Sequence, residues 1–211
     1  MFAIRMRTLL AFATALIALS SFTSGASAAT LDFESLGTPS VSQPIPDGYG
    51  DLNWDNFSVV TGSRFPQFPG NGYTNGASSG IYVGFNGFAE PASFSSGSTF
   101  DFISASLTAA FNDGLELDIS GYLNGNQIYT RTVTLTTAMY ATILFNWSGI
   151  DMVRFNSHGG SPVFGVNGEQ FAIDDLAVVK TPIPPAALLL ATSLAGLGYA
   201  AHRRRKAAKV A

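Results

Sequence analysis

The sequence predicts an all-β domain in which two sheets pack as a sandwich, and three observations support this prediction. Residues 30–180 contain no convincing stretch with the apolar period of a helix. Short runs in which apolar and polar residues alternate are separated by turn-forming residues, as in antiparallel strands that bury one face. The segment holds about 150 residues, which is enough for one domain with its own hydrophobic core.

The clearest strand pair lies in the middle of this segment. Residues 115–120 alternate between apolar and polar side chains, which predicts a half-buried strand. Asn124-Gly125 follows as a hairpin turn signal. Residues 127–135 alternate again and are predicted to return antiparallel to the first strand.

Further segments complete the predicted sheets. Residues 140–147 and 150–156 are expected to form another strand pair. Residues 100–111 are expected to form one long strand whose apolar phase changes between Phe102 and Ile103, and a β-bulge explains such a change. Residues 62–80 interleave Gly, Pro and Asn with aromatic residues, so a loop is predicted there.

Two acidic segments predict that the first and last strands lie together. In residues 31–34, an extended strand places the apolar side chains on one face and the acidic ones on the other. In residues 171–176, at least one of Asp174 and Asp175 shares a face with apolar neighbours. A buried carboxylate needs a partner. Because the domain has only four basic residues, a hard cation such as calcium is the natural partner.

The same start and finish resemble jelly-roll sandwiches of the carbohydrate-binding-module and MAM type. Those domains open with a Phe-Glu strand, close with an Ile-Asp-Asp-hydrophobic strand and often hold a structural calcium between the two. The resemblance implies a jelly-roll-like β-sandwich. It also implies that Glu34 and Asp175 are the first metal ligands to consider, followed by Asp174 and Asp32. The alternative is that these acids cap strand ends in water.

Aromatic residues crowd the first half of the domain, several of them beside Gly or Asn. Exposed rings stack on sugar faces, and the loop segment 64–75 is the best place for such contacts. We therefore predict Phe65, Phe68 and Tyr73 as ligand-binding residues for a polysaccharide. The alternative is that these rings belong to the core, because aromatic side chains dominate core burial.

Catalytic signals are sparse in this sequence. His158 is the single histidine between residues 30 and 180, and no nucleophile-elbow motif accompanies it. Fourteen acids could supply the carboxylate pair of a glycosidase, but their spacing identifies none. The sequence therefore favours a protein that is not an enzyme, with a polysaccharide hydrolase as the less favoured alternative.

The charge of the domain limits its partners. All 14 acidic residues lie between Asp32 and Asp175, whereas the whole domain of residues 30–180 has only four basic residues. The resulting charge of about −10 repels nucleic acid and anionic lipid, whereas it suits calcium and neutral polysaccharide. The chain has no cysteine, so its core rather than disulfides must hold it together.

The N-terminus has the three parts of a secretory signal peptide, assigned to residues 1–28. Arg5 and Arg7 form the positive region, and residues 9–19 form an apolar region too short to span a bilayer. Residues 26–28 fit the small-x-small cleavage pattern. The exported domain is then residues 29–180, and a secretion translocon is its first partner.

The C-terminus combines a Pro-rich motif, a short apolar run and a basic cluster. Residues 186–201 would form a helix of about 24 Å, which is short of the roughly 30 Å hydrocarbon core. The basic cluster should stay in the cytoplasm. This pattern favours a transient membrane stop in residues 181–206, followed by a tail at 207–211, and a permanent single-pass anchor is the alternative.

This tail resembles the PEP-CTERM sorting signal of Gram-negative bacteria, in a Pro-x-Pro-Ala variant. The matching residues are Pro182, Ile183, Pro184 and Pro185, followed by Arg203, Arg204 and Arg205. Ile183 stands where the family has a central Glu. The resemblance implies recognition by exosortase, a membrane-embedded cysteine protease-transpeptidase whose substrates are associated with exopolysaccharide and biofilm.

Together these features predict an exported, non-enzymatic surface or matrix protein. It would be held briefly at the inner membrane and then reach the cell surface or extracellular matrix of a Gram-negative bacterium. A calcium-dependent carbohydrate-binding module is the alternative function.

Overall fold

The computed structural model describes residues 28–37, 41–180, 192–194 and 196. Residues 27–181 form one compact unit. Residues 192–194 and 196 are helical and belong to a second unit. Residues 1–27 of the predicted signal peptide and nearly all of the predicted sorting signal, including residues 182–185 and 203–205, lie outside the described residues. Within the described part of the chain, no helix is long and apolar enough to cross a membrane.

The compact unit is built almost entirely from strands. The strands are β1 (Ala28–Leu31), β2 (Gln43–Pro44), β3 (Asn53–Asp55), β4 (Phe57–Thr61), β5 (Tyr82–Asn86), β6 (Ala92–Ala109), β7 (Asn112–Asp113), β8 (Leu115–Leu123), β9 (Asn126–Leu135), β10 (Ala141–His158), β11 (Ser161–Pro162) and β12 (Phe171–Lys180). The helical elements are α1 (Gly72–Gly76) and 3₁₀ turns at Glu34–Leu36, Tyr49–Asp51, Gly62–Arg64 and Gly87–Ala89.

Ten of the strands form one antiparallel sheet that folds over into a sandwich, whereas β7 and β11 pair in a separate two-stranded sheet. The order of the large sheet is β2-β4-β5-β12-β6-β10-β8-β9, with β1 on β12 and β3 on β6. Strands β6 and β10 each have 18 residues, and they bend so that each belongs to both layers. The first sheet contains β2, β4, β5 and β12, and β12 pairs with the second half of β6. The second sheet contains β3, the first half of β6, the end of β10, β8 and β9.

The inner faces of the two sheets enclose an aromatic core. Its largest fully buried side chains are Phe33, Phe94, Phe100, Phe102, Phe155 and Phe171. The rings meet mostly at tilted or edge-to-face angles, as in the contacts of Phe94 with Phe102 and of Phe57 with Phe155. The predicted all-β sandwich is therefore confirmed for the described domain.

Two local predictions are confirmed. Strands β8 and β9 pair antiparallel, and Asn124 and Gly125 both have positive φ, as a two-residue hairpin turn requires. The predicted bulge in β6 also exists. Between Ala177 and Val178 of β12, the register on β6 moves by two residues, from Ser104 to Phe102.

Two other predictions need correction. Residues 140–147 and 150–156 do not form a strand pair, because residues 141–158 run as the single strand β10. Register shifts against β6 and the positive φ of Asn146 and Gly149 produce the break that resembled a turn. The first strand ends at Leu31, and Phe33 adopts a left-handed φ of 60° before the turn at Glu34.

Candidate functional site

A short loop, residues 78–82, is held by acidic side chains from both ends of the domain. Glu34 Oε1 accepts hydrogen bonds from the backbone amides of Ile81 and Tyr82, each at 2.8 Å. Gly80, which precedes these two residues, has a φ of 54°, and a Cβ there would lie 2.2 Å from Glu34 Oε1. Only glycine leaves room for this carboxylate.

The adjacent aspartates of β12 hold the start of the same loop. Ser78 Oγ donates to Asp175 Oδ2 at 2.8 Å and lies 3.2 Å from Asp174 Oδ2. The backbone amide of Ser79 donates to Asp174 Oδ2 at 2.8 Å. The two carboxylates therefore converge on one serine hydroxyl.

A bulge in β12 explains how neighbouring residues of a strand reach the same side. Asp174 pairs with Ser106, and Ala177 pairs with Ser104, so three steps along β12 match two along β6. Asp175 takes the strained position, with a φ of 45°. Without this bulge, consecutive side chains would point to opposite faces of the sheet.

Asp174 is fully buried. Burial raises the pKa of its carboxyl to about 6, although hydrogen bonds from Ser79, Ser78 and the Asp175 amide act in the opposite direction. The neighbouring Asp175 carboxylate adds to the rise. Within the described residues, no salt bridge joins either aspartate to a basic side chain. The predicted buried carboxylate is thus present, and it has hydroxyl and amide partners.

The four predicted metal ligands do not form one cluster. Asp32 is exposed, and its Oδ1 accepts a hydrogen bond from the Glu34 amide. Among residues 28–37 and 41–180, no group of three or more His, Cys, Asp or Glu side chains lies close enough to hold a metal ion. Asp174, Asp175 and the Ser78 hydroxyl remain as an oxygen donor set, which has the chemistry that calcium accepts.

The loop predicted to stack on sugars packs largely onto the outer face of the first sheet. Asn71 caps α1 by accepting hydrogen bonds from the amides of Tyr73 and Thr74. The side chain of Tyr73 is only 2% exposed, and its ring contacts those of Phe65 and Phe111. Burial raises the pKa of Tyr73 above its usual value. The prediction of Tyr73 as an exposed stacking ring is therefore wrong, because these rings form a second apolar cluster.

Phe68 also belongs to this second cluster. Its ring lies 5.7 Å from those of Phe111 and Phe164, and it remains partly exposed. Phe65 is partly exposed too, but it lines a cavity beside the cluster. Of the three predicted aromatic residues, Phe65 alone joins that cavity with an accessible ring.

The cavity has a volume of about 420 Å³ and opens on the outer face of the first sheet. Its described lining is mostly aromatic and apolar, with a few polar groups: Ser42, Ser58, Val60, Arg64, Phe65, Tyr73, Phe85, Gly87, Phe88, Phe111 and Gln170. The Oε1 atom of Gln170 is buried and has no hydrogen-bond partner within the described residues. We call this space the Phe88 cavity.

Phe88 stands at the rim of this cavity with 92% of its surface exposed. Its φ is 55° and that of Ala89 is 60°, which are unfavourable for residues with a Cβ. The Asn56 side-chain amide holds this turn by donating to the carbonyls of Gly87, Glu90 and Pro91. The domain therefore exposes an aromatic side chain on a turn whose backbone is strained but held by hydrogen bonds from Asn56.

Sequence reasoning did not single out Phe88, Arg64 or Gln170. A weak signal for Phe88 existed in its position after Gly87, within a run of aromatic residues. No local pattern links Arg64 or Gln170 to that ring, because strand pairing brings them together.

Searches against protein-family profiles found no match, and neither did a search of curated proteins. Solved structures match over part of this chain. A family 61 carbohydrate-binding module in complex with β-1,4-galactotriose is 16% identical, with a TM-score of 0.34, covering 71% of this chain and 94% of its own. A family 32 module from C. perfringens NanJ in complex with galactose is 12% identical, with a TM-score of 0.37, covering 66% and 99%. An α-L-arabinofuranosidase bound to arabinose is 11% identical, with a TM-score of 0.38, covering 74% of this chain and 27% of its own.

Proposed function

We propose that residues 29–180 form a non-catalytic carbohydrate-binding module that holds a saccharide in the Phe88 cavity. The observation that carries this proposal is the exposed ring of Phe88, fixed by Asn56 at the rim of the cavity. Left-handed backbone at residues other than glycine concentrates at functional sites. A fixed aromatic ring stacks on a sugar face with little loss of conformational entropy.

The polar groups of the cavity suit a saccharide. Ser42 and Ser58 supply hydroxyls beside the mostly apolar lining. Small-molecule sites typically combine an apolar lining with a few such polar groups. A cavity of about 420 Å³ lies within the range expected for a small ligand.

Arg64 indicates that the saccharide carries a negative charge. The domain is strongly acidic, yet no carboxylate occurs among the described residues that line the cavity. Arg64 has a cation–π contact, 5.9 Å from the ring of Phe65, and forms no ion pair within the described residues. A guanidinium without an acidic partner favours a sugar that carries a carboxylate, such as a uronic acid.

The test is to titrate the whole chain with hexagalacturonate and measure the affinity by calorimetry. Changing Arg64 to Gln should weaken binding by about tenfold or more, since hydrogen bonds to charged groups contribute about 1.5–3 kcal/mol. Changing Phe88 to Ala should also weaken binding, because it removes the ring that stacks on the sugar. Phe68→Ala is the matched aromatic control, because Phe68 does not line the cavity. Equal affinity of the wild type and both cavity variants would refute the proposal.

Calcium is the proposed structural cofactor. Asp174, Asp175 and the Ser78 hydroxyl would hold the ion, and its charge would balance two adjacent carboxylates that have no basic partner in the described residues. Bound there, the ion would tie loop 78–82 to the last strand. This role supports the cavity only indirectly, by stiffening the sandwich.

The remaining part of the proposal concerns location. The signal-like residues 1–28 and the tail of residues 181–206 support an exported protein that a membrane protease of the exosortase type sorts to the cell surface or matrix. A glycan-binding module suits that destination. The mass of the intact native protein tests it, because a chain in the medium that still carries residues 186–211 would exclude processing of the tail.

A further inference from the structure

The outer face of the second sheet carries a groove that the Phe88 cavity does not include. Asp118, Ser120 and Tyr122 of β8 line it together with Arg154 and Asn156 of β10, around a volume of about 300 Å³. We infer that this groove is a second saccharide site, specific for an extended neutral glycan, and that the module is bivalent.

Strand register places the groove residues side by side. Arg154 pairs with Ser120, and Asn156 pairs with Asp118. Intervening residues such as Ile119 and Phe155 point into the core. The five side chains therefore share one outward face, and regular strand pairing holds them there.

The guanidinium of Arg154 is free to bind a ligand. In the described part of the chain, it forms neither an ion pair nor a hydrogen bond. Its cross-strand neighbours, Ser120 on one side and Ser93 on the other, have small side chains. The side-chain amide of Asn156 likewise has no protein partner among the described residues.

Asp118 makes the groove suit neutral rather than acidic sugars. Thr132 Oγ1 donates to its Oδ1, and His158 Nε2 lies 3.1 Å from its Oδ2. The hydrogen bond from Thr132 is the main cause that lowers the pKa of this carboxyl, so it is charged at neutral pH. A carboxylate beside a guanidinium and an amide can engage adjacent sugar hydroxyls, whereas it repels a uronate.

Tyr122 closes one end of the groove with an aromatic surface. Its hydroxyl lies 3.4 Å from Gln127 Oε1 on β9. Because a strand rises about 3.4 Å per residue, the side chains of Tyr122 and Asp118 stand roughly 13 Å apart along β8. That length accommodates more than one sugar ring and favours a chain over a monosaccharide.

The two sites lie on the outer faces of opposite sheets. Ser58 and Phe85, which line the Phe88 cavity, belong to the first sheet, whereas the groove belongs to the second. One molecule could therefore bridge two glycan chains, an acidic one and a neutral one. This goes beyond the proposed function, which needs only the cavity.

The experiment uses the whole chain with two probes: hexagalacturonate, and a panel of neutral hexasaccharides of glucose, mannose and galactose. The combined variant Arg154→Gln and Asn156→Ala should lose about tenfold or more in affinity for the neutral probe and keep its affinity for hexagalacturonate. Lys180→Gln removes the same charge away from the groove and should change neither affinity. Melting temperatures verify that every variant is folded.

Bridging provides the second readout. Beads that carry the neutral glycan should capture labelled hexagalacturonate through the wild type, and the groove variant or Phe88→Ala should each abolish capture. Unchanged neutral binding in the groove variant, or no binding of the wild type to any neutral probe, would overturn the inference. Unchanged hexagalacturonate binding in Phe88→Ala would instead overturn the cavity proposal. Binding of the neutral hexasaccharides would then test the groove by itself.

Discussion

Asn56 and Gly87 are joined by two hydrogen bonds that lock the turn below the exposed ring of Phe88. The Asn56 side-chain amide donates to the Gly87 carbonyl at 3.0 Å, and the Gly87 amide donates to the Asn56 carbonyl at 2.9 Å. Asn56 itself has a φ of 54°, a conformation that asparagine tolerates better than most residues. The stability of the turn and the presentation of Phe88 thus depend on one side chain.

Changing Asn56 to Asp should weaken both properties. The substitution removes the donor that serves the Gly87, Glu90 and Pro91 carbonyls but retains a residue that accepts positive φ. We expect a loss of about 1–3 kcal/mol in the free energy of unfolding, measured by urea denaturation, and weaker hexagalacturonate binding. Asn126→Asp, in an exposed position, serves as the control. Wild-type binding by Asn56→Asp would show that the turn does not position the ligand.

Changing Phe88 to Gly should separate stability from binding. Glycine relieves the unfavourable φ of 55°, and little burial is lost because the ring is exposed. The expected gain in unfolding free energy is about 0.5–1 kcal/mol, while saccharide affinity falls. Ala89→Gly relieves a similar φ of 60° and should gain stability without losing affinity. Equal affinity of the two variants would mean that the ring makes no contact with the ligand.

Calcium should raise the melting temperature of the wild type relative to chelator. A hundredfold excess over Kd corresponds to about 2.7 kcal/mol, or roughly 5–10 °C for a domain of this size. Asp175→Asn should remove that increment because it neutralises one of the two converging carboxylates. Asp55→Asn, at an exposed position on the second sheet, should retain it. Identical melts in calcium and chelator would exclude the proposed ion.

In chelator, stability should depend on pH through Asp174. Its folded pKa of about 6 lies above the usual value of 3.8, so its contribution is fully present below about pH 4 and is lost as the pH rises through 6. A difference of about two pKa units corresponds to roughly 3 kcal/mol. Asp113 and Asp118 have lowered pKa values, so their contributions to stability depend on pH in the opposite direction. Those contributions are lost as the pH falls below the usual carboxyl pKa, which lies outside the range of this experiment. Urea denaturation between pH 4 and 7 should show this slope in the wild type and not in Asp174→Asn.

Thr108→Val should stabilise the domain. The Thr108 hydroxyl is buried without a hydrogen-bond partner in the described residues, and valine has nearly the same shape. Removing an unsatisfied hydroxyl should add about 1–2 kcal/mol to the free energy of unfolding. Thr61→Val should have the opposite sign, because the Thr61 hydroxyl caps the Ser63 amide. A destabilised Thr108→Val variant would indicate a partner for that hydroxyl, such as an ordered water.

Local sequence signals were sufficient where a pattern and a turn residue agreed. The hairpin around Asn124-Gly125 was predictable because side-chain alternation and left-handed turn residues specify the same register. The buried aspartate of β12 was predictable for a similar reason, since it lies between apolar residues on a strand. The break inside β10 was misinterpreted because a bulge and a turn both interrupt the alternation of apolar and polar residues in a sequence.

The aromatic loop shows why the site was harder to predict than the strands. Composition cannot tell an aromatic ring that binds sugar from one that fills a second apolar cluster, and Tyr73 proved to be the latter. Phe88 looks no different from its neighbours in the sequence. Its exposure arises from the Asn56 hydrogen bonds, which join residues more than thirty positions apart.

The sequence by itself determined the all-β class, the central hairpin, the bulge in β6 and the acidic character of the domain. These depend on short-range periodicity, turn chemistry and charge, which neighbouring residues carry. Only the tertiary structure decided that Asp174 and Asp175 share a serine, that Phe88 and Arg64 line one cavity, and that Arg154 lies beside Asp118. Those arrangements depend on strand register and bulges, which long-range packing sets and no local pattern encodes.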